Sequence, residues 1–184
     1  ITPQTIKNTI TPFLNQGFFD LDIQKAQKQL AQFPGIEEAS IQRKWPNTIV
    51  IRLKEDKAIA LWNNDQNLIN SNGQIFTPMT HQAHLPLTTL QGSTSDEPVL
   101  YQFFTQLIQQ HPQSLLPKTI ALLPTRQWQV GYRDFWVALG ANQPLKKLMF
   151  FNKILPKILA QNPKKKLAYI NMNYRNMVAV KWQN

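Results

Sequence analysis

The sequence predicts an α+β fold: two helices on a small three-stranded sheet, followed by a larger, mostly antiparallel β region with two helices. Three observations lead to this prediction. Apolar residues recur every three or four positions in four segments, as on one face of a helix. In many shorter segments they alternate with polar residues, as in strands with one buried face. Residues 36–55 show this alternation on both sides of a turn that contains Pro46.

The predicted order of elements at the start of the chain is helix, short strand, helix, strand, strand. Pro12 should kink or end the first helix, because proline lacks the backbone N–H that a helix interior needs. Residues 18–19 are predicted as the short strand, and Asp20 or Asp22 caps the second helix. We expect this part, residues 1–56, to be the first domain.

Residues 57–184 are predicted to form the second domain, with more strand than helix. Helices are expected to start at Ser95 and at Pro144, the second of them bent at Pro156. The predicted strands cover residues 58–62, 68–69, 75–76, 87–90, 120–123, 127–132, 135–139, 167–173 and 177–182.

Composition limits the classes of protein to consider. The 184 residues contain 20 Lys and Arg against 10 Asp and Glu, a net charge of +10 that favours anionic partners. Cysteine is absent, which excludes disulfides, thiol catalysis and Cys-ligated zinc. No apolar run reaches the roughly 20 residues of a membrane span. Because Ile1 is not an initiator methionine, we expect a fragment; if the protein is exported or membrane-bound, its targeting segment lies outside this chain.

The sequence contains none of the common catalytic or nucleotide-binding motifs. It has no P-loop, no Gly-x-Gly-x-x-Gly, no Gly-x-Ser-x-Gly and no His-Glu-x-x-His. His81 and His84 lie in a proline-flanked loop without a third ligand nearby, so we interpret them as exposed loop residues. The few acids read as helix caps or strand starts. We therefore expect no enzyme, no metal site and no cofactor.

Several motifs resemble the FtsQ/DivIB family of bacterial cell-division proteins. Residues 18–63 are similar to its POTRA module and the strand that follows, with RKWP at residues 43–46 closing the first strand of the hairpin. The segments TRQWQVGY, PLKKLMFFNKILPKIL and AYINMNYRNMVAVKW resemble a later strand, the last long helix and the closing hairpin. Asn70 departs from the pattern, which usually has an acid at that position.

The resemblance implies a non-catalytic scaffold of the division machinery. It implies a bitopic inner-membrane protein of a Gram-negative bacterium, located at the division septum. A short cytoplasmic tail and one transmembrane helix would precede Ile1, and these residues would lie in the periplasm. The implied partners are FtsB and FtsL, with other divisome proteins contacted through the POTRA domain, which would lie just outside an anionic bilayer leaflet.

The resemblance also implies a binding site on the final strand, at the edge of a sheet. A partner strand would add there through unpaired backbone groups. Arg126 aligns with a family arginine that pairs with a partner acid. The alternatives are that Tyr174 only closes a turn and that Trp182 only covers a core. The matching positions of the strand and its turn are Tyr174, Arg175, Asn176, Met177, Val178, Ala179, Val180, Lys181 and Trp182.

Two other functions stay open from the residues alone. A POTRA protein of outer-membrane assembly or secretion would normally carry tandem POTRA repeats or a barrel, and the second region resembles neither. A basic nucleic-acid-binding domain would fit the charge and the aromatic content. However, most aromatic residues fall on amphipathic stripes, where core packing explains them, and no RNP-like run is present.

Overall fold

The computed structural model describes residues 3–15, 17–63, 66–78, 86–110, 116–174 and 177–183. The chain forms two compact units, Ile1–Leu85 and Pro86–Asn184. The boundary predicted between residues 56 and 57 stays a prediction. Across the described ranges, no helix is both long enough and apolar enough to cross a membrane.

The first unit contains a helix pair, a hairpin and a three-stranded meander. Strands β1 and β2 pair antiparallel, and so do β3 with β4 and β4 with β5. The elements are α1 (Pro3–Leu14), α2 (Ile23–Ala31), β1 (Ile36–Lys44), β2 (Thr48–Glu55), β3 (Ala58–Trp62), β4 (Asn67–Asn70) and β5 (Ile75–Phe76).

The core of the helix–hairpin part forms where the apolar stripes of α1 and α2 meet the inner face of β1, as the periodicity predicts. The backbone N–H of Lys25 donates to the carboxylate of Asp22 at 3.0 Å, so Asp22 rather than Asp20 caps α2. Helix α1 runs past Pro12 and ends two residues later. The buried residues of this core are Ile10, Phe13, Leu21, Ala26, Leu30, Ile36, Ala39 and Ile41.

The short strand predicted at residues 18–19 is wrong. Phe18 and Phe19 lie in a turn, and the sheet of this part has two described strands, β1 and β2, instead of three. The reason is that an arginine side chain supplies the hydrogen bonds that a neighbouring strand would otherwise donate to this segment. Arg43 donates to the carbonyls of Phe18 at 2.9 Å, Phe19 at 3.0 Å and Leu21 at 2.7 Å. These carbonyls are therefore satisfied without sheet pairing.

The second unit is a sheet with two crossover helices. Its strands follow the order β6-β7-β8-β9-β10-β11. The pairs β6/β7 and β9/β10 are parallel, and the other three are antiparallel, which confirms the mostly antiparallel α+β prediction. The elements are β6 (Thr89–Gln91), a 3-10 turn (Thr94–Asp96), α3 (Glu97–Gln110), β7 (Thr119–Leu122), β8 (Trp128–Gly131), β9 (Trp136–Gly140), α4 (Pro144–Gln161), β10 (Leu167–Asn171) and β11 (Ala179–Trp182).

Each helix of this unit connects two parallel strands. Helix α3 joins β6 to β7, and α4 joins β9 to β10, with both crossovers moving toward β11. Right-handed crossovers in the same direction place both helices on one face of the sheet. Phe103 of α3 stacks on Trp128 at 4.6 Å, and Phe151 of α4 packs against Tyr132 and Phe135. This face is the core of the second unit.

Candidate functional site

Strand β11 lies at the end of the sheet of the second unit. It pairs antiparallel with β10, and Val180 faces Ile170 while Ala179 faces Asn171. Among the described residues, no strand pairs with its other side. Such an edge presents backbone N–H and C=O groups that a second chain can use.

The backbone contacts indicate which groups of β11 face outward. The amide of Gln183 donates to the carbonyl of Lys166 at 2.8 Å, so it points toward β10. Amide direction alternates along an antiparallel strand. The amides of Ala179 and Lys181 therefore point inward, and those of Val180 and Trp182 point to the open edge.

Side-chain burial alternates along the same segment. Val178, Val180 and Trp182 are half-buried, whereas Ala179 and Lys181 are exposed. Val180 lies in a cross-strand row with the fully buried Ile170 and Val137, on the helix-covered face. An added strand would therefore meet apolar neighbours on one face and a cation on the other.

The turn before β11 holds two of the predicted contact residues in an accessible position. The side chain of Tyr174 is 52% exposed and that of Met177 is 67% exposed. The predicted strand from residue 177 starts two residues later, at Ala179. Arg175 and Asn176 lie outside the described residues.

Arg126 lies in the turn between β7 and β8, with a left-handed backbone at φ 61°. Its guanidinium donates to the carboxylate of Asp96, which also accepts from the Ser93 hydroxyl. These hydrogen bonds, that of Ser93 first and that of Arg126 second, lower the pKa of Asp96 below its ordinary value. Arg126 thus already has an acid partner within the chain, although its side chain is still 60% exposed.

The sheet register determines which predicted residues lie close together. Trp128 faces Gly140 and Asn171 faces Ala138, so the turns that hold Arg126 and Tyr174 are at the same end of the sheet. Trp182 faces Leu167 at the opposite end. From β11 to β8 there are three strand steps, about 14 Å. One partner could contact all these residues only by crossing one end of the sheet and also following β11.

An aromatic cluster in the first unit was missed by the sequence prediction. The ring centroids of Phe18, Phe19 and Trp45 lie 5.4–5.8 Å apart. Phe19 is 69% exposed and Trp45 is 71% exposed. The available signal was that these rings fall outside any periodic pattern, next to Gly17 and before Pro46. Large exposed rings in contact are typical of interaction surfaces.

The described residues do not contain a constellation for metal binding. No group of three or more His, Cys, Asp or Glu side chains within them could hold an ion. His81 and His84 lie outside the described residues. The site is therefore defined by a strand edge and its side chains instead of by reactive groups.

Comparison with known families supports an assignment at this point. Residues 1–56 match the family described as POTRA domain, FtsQ-type, and residues 60–173 match Cell division protein FtsQ/DivIB, C-terminal. The chain belongs to the FtsQ/DivIB family. The resemblance seen in the sequence is confirmed. The second match ends before β11 begins at Ala179.

Relatives named cell division protein FtsQ align with nearly the whole chain. The Hahella chejuensis protein is 28% identical over 180 residues, which cover 97% of this chain and 64% of that protein. The Coxiella burnetii protein is 27% identical over 188 residues, which cover 97% of this chain and 74% of that protein. The Escherichia coli protein is 29% identical over 173 residues, covering 90% and 62%. The chain therefore spans roughly two thirds of the length of these relatives.

Proposed function

We propose that this chain is the periplasmic part of a non-enzymatic divisome scaffold, a single-pass inner-membrane protein at the division septum. Membership of the FtsQ/DivIB family supports this role. The observation that carries the proposal is the position of β11 at the edge of its sheet, with the amides of Val180 and Trp182 directed outward. A scaffold needs such binding surfaces and does not need reactive groups.

The partners are FtsB and FtsL, and their contact is a strand added to β11. Backbone hydrogen bonds give such a contact its affinity, and side-chain fit gives its register. The apolar row through Val180 favours an apolar partner residue on the helix-covered face. The exposed Lys181 favours an acidic one on the other face. The partner strand therefore alternates between apolar and polar residues.

Tyr174 and Trp182 anchor the two ends of this contact. Large aromatic side chains contribute about 2 kcal/mol or more at the centre of an interface and less near its ends, so we expect about 1 kcal/mol, equivalent to about fivefold in affinity, from each. Arg126 supplies a further contact to a partner carboxylate at the Tyr174 end. Because Arg126 is already bonded to Asp96, a partner acid would share or replace that ion pair.

The first unit contacts other divisome proteins through the aromatic cluster of Phe18, Phe19 and Trp45. Leu14, Phe19 and Trp45 are the exposed large apolar residues in the described part of this unit, and two of the three belong to the cluster. A protein surface with apolar side chains would bury these rings on binding.

The test of strand addition uses proline at an outward-facing amide. Val180→Pro removes the donor at the open edge, whereas the inward amides of Ala179 and Lys181 keep their bonds to β10. We expect the affinity for the FtsB periplasmic segment, measured by calorimetry, to fall at least tenfold. Lys181→Ala is the comparison variant: it removes the exposed cation that would face a partner acid but no backbone donor at the open edge, and because an exposed ion pair contributes little, we expect less than a threefold change.

Two side-chain variants complete the test. Tyr174→Ala and Trp182→Ala should each weaken binding by about fivefold. Circular dichroism melting confirms that each variant stays folded. If the wild-type chain binds the segment and all three variants bind it equally well, β11 is not the binding site.

A further inference from the structure

The charge of this protein is concentrated at its C-terminal end. Residues 135–184 contain nine Lys and Arg and no Asp or Glu. Residues 1–85 contain eight Lys and Arg and seven Asp and Glu. No carboxylate side chain of the same segment can neutralise the C-terminal cations. This end of the chain therefore favours an anionic partner.

Helix α4 gathers three of these cations on one exposed face. Lys146, Lys153 and Lys157 are separated by seven and four residues, a spacing that places them on the same side of a helix. All three are exposed, and Phe150, also on this side, is 52% exposed. The opposite side of α4, with Phe151, is buried.

A second group of cations follows directly. Lys164, Lys165 and Lys166 are all exposed in the turn between α4 and β10. The carbonyl of Lys166 accepts from the amide of Gln183, just after the end of β11. We call these three residues, with Lys146, Lys153 and Lys157, the lysine face. Its last residue, Lys166, contacts the end of the open strand.

Helix stabilisation explains only part of the lysine face. Cations after a helix C-terminus interact favourably with the helix dipole, which accounts for the turn at Lys164. Lys146 lies in the first turn of α4, where a cation is unfavourable, and that turn has no acid. The position of Lys146 is therefore opposite to the one that helix stability favours.

We propose that the lysine face binds an acidic segment of the same protein partner that adds a strand to β11. The inference rests on the proposed function. Charge complementarity and continuity with the end of β11 both favour a single partner that covers the edge and the face. The one exposed ring of Phe150 among the lysines suits an isolated apolar side chain of a protein.

We expect the lysine face to raise the rate of association with the partner more than the lifetime of the complex. Exposed lysines on a flexible stem form weak individual pairs, but together they attract an acidic partner during its approach. Such attraction falls steeply with salt. The association rate constant at low and high salt is therefore the quantity to measure.

The test compares two triple variants that each remove three positive charges. Lys146→Gln/Lys153→Gln/Lys157→Gln alters the lysine face. Lys7→Gln/Lys25→Gln/Lys28→Gln alters exposed lysines of the first unit and is the matched control. The probe is the FtsB periplasmic segment, with stopped-flow rates at 50 and 300 mM NaCl. We expect the first variant to associate about fivefold more slowly at low salt, the control less than twofold, and both differences to shrink at high salt.

The outcomes separate this inference from the proposed function. An equal slowing in both triple variants, or none in the first, overturns the lysine face while Val180→Pro still loses binding. A wild-type chain that fails to bind the segment overturns the proposed function as well. Sedimentation with phosphatidylglycerol vesicles is the third arm. If the first variant loses vesicle binding but keeps its association rate with the segment, the face binds lipid and the inference is wrong.

Discussion

The two units of the molecule use their cations differently. In the first unit, charges are nearly balanced, and Arg43 binds three carbonyls of its own chain while Lys54 pairs with Glu37 at 3.0 Å. In the second unit, residues 86–184 contain twelve Lys and Arg against three acids. Arg43 therefore contributes to the fold of the first unit, whereas the second unit has a surplus of positive charge, for which we propose a role in partner binding.

The two hairpins differ in a related way. The β1–β2 hairpin is covered by α1 and α2 and contributes to a closed core. The β10–β11 hairpin joins an extended sheet through β10 alone, so β11 keeps one unpaired side in the described structure. Strands β1 and β2 also each have an unpaired side among the described residues, so the difference between the hairpins is that β1 and β2 form a sheet of their own beneath two helices, whereas β11 ends a longer sheet.

The largest expected effect is the loss of stability from a substitution that disturbs the packing of the first unit alone. Gly35 has φ +90°, and a Cβ atom there would lie 2.5 Å from the ring of Phe76. Gly35→Ala should therefore lower the free energy of unfolding by about 3 kcal/mol, through backbone strain and overlap together. Urea unfolding followed by circular dichroism measures this change.

Gly17→Ala is the control for backbone strain. Gly17 has φ +97°, but the nearest atom to an added Cβ, on Asp20, is 3.8 Å away. We expect a loss of about 1 kcal/mol, from strain without overlap. Equal losses in the two variants would contradict the role of Phe76. Binding of the FtsB segment at β11 should be unchanged in both.

Much of this fold could be predicted because its signals are local. Helical spacing in α3 and α4, and alternation in β8 and β9, follow from the faces that each element buries. The turn at Phe18 and Phe19 could not be predicted in this way. It depends on Arg43, which is more than 20 residues away and satisfies their carbonyls.

The candidate site shows the same limit. Alternation predicts which side chains of β11 share a face, but it does not tell whether a strand has one neighbour or two. The family resemblance supplied the edge position, and the sheet order agrees with it. The ion pair of Arg126 with Asp96 spans 30 residues and has no local signal in the sequence. The lysine face could be recognised only once the boundaries of α4 and the contact between Lys166 and Gln183 were known.

A smaller change tests whether the arginine of the first unit is structural. Arg43→Ala removes three hydrogen bonds to the carbonyls of Phe18, Phe19 and Leu21, two of them exposed and one partly buried. We expect a loss of about 2 kcal/mol and faster hydrogen exchange in residues 17–21. Arg43→Lys keeps the charge but not the planar group and should lose nearly as much. Full stability in Arg43→Lys would mean that charge alone suffices.

The smallest expected effect concerns Asp96, the acid that pairs with Arg126 in the second unit. Because the pKa of Asp96 is lowered in the folded state, the unfolded chain binds more protons around the ordinary value of 3.8. The stability from this carboxylate is therefore present above that value and is lost as pH falls through the lower, folded pKa. Carboxyl ¹³C NMR titration gives the pKa directly.

Variants at the two donors rank their contributions. Ser93→Ala and Arg126→Ala should each raise the pKa of Asp96: the first removes the hydroxyl hydrogen bond, the largest single cause of the shift, and the second removes both a hydrogen bond and a positive charge. If Arg126→Ala leaves the pKa of Asp96 unchanged, Arg126 is not an internal partner of Asp96 in solution. The same titration with the FtsB segment present sharpens the comparison. A partner acid that draws Arg126 away or shares its guanidinium would raise the pKa of Asp96, because the ion pair weakens or a like charge is added nearby. An unchanged pKa would mean that the partner does not contact Arg126.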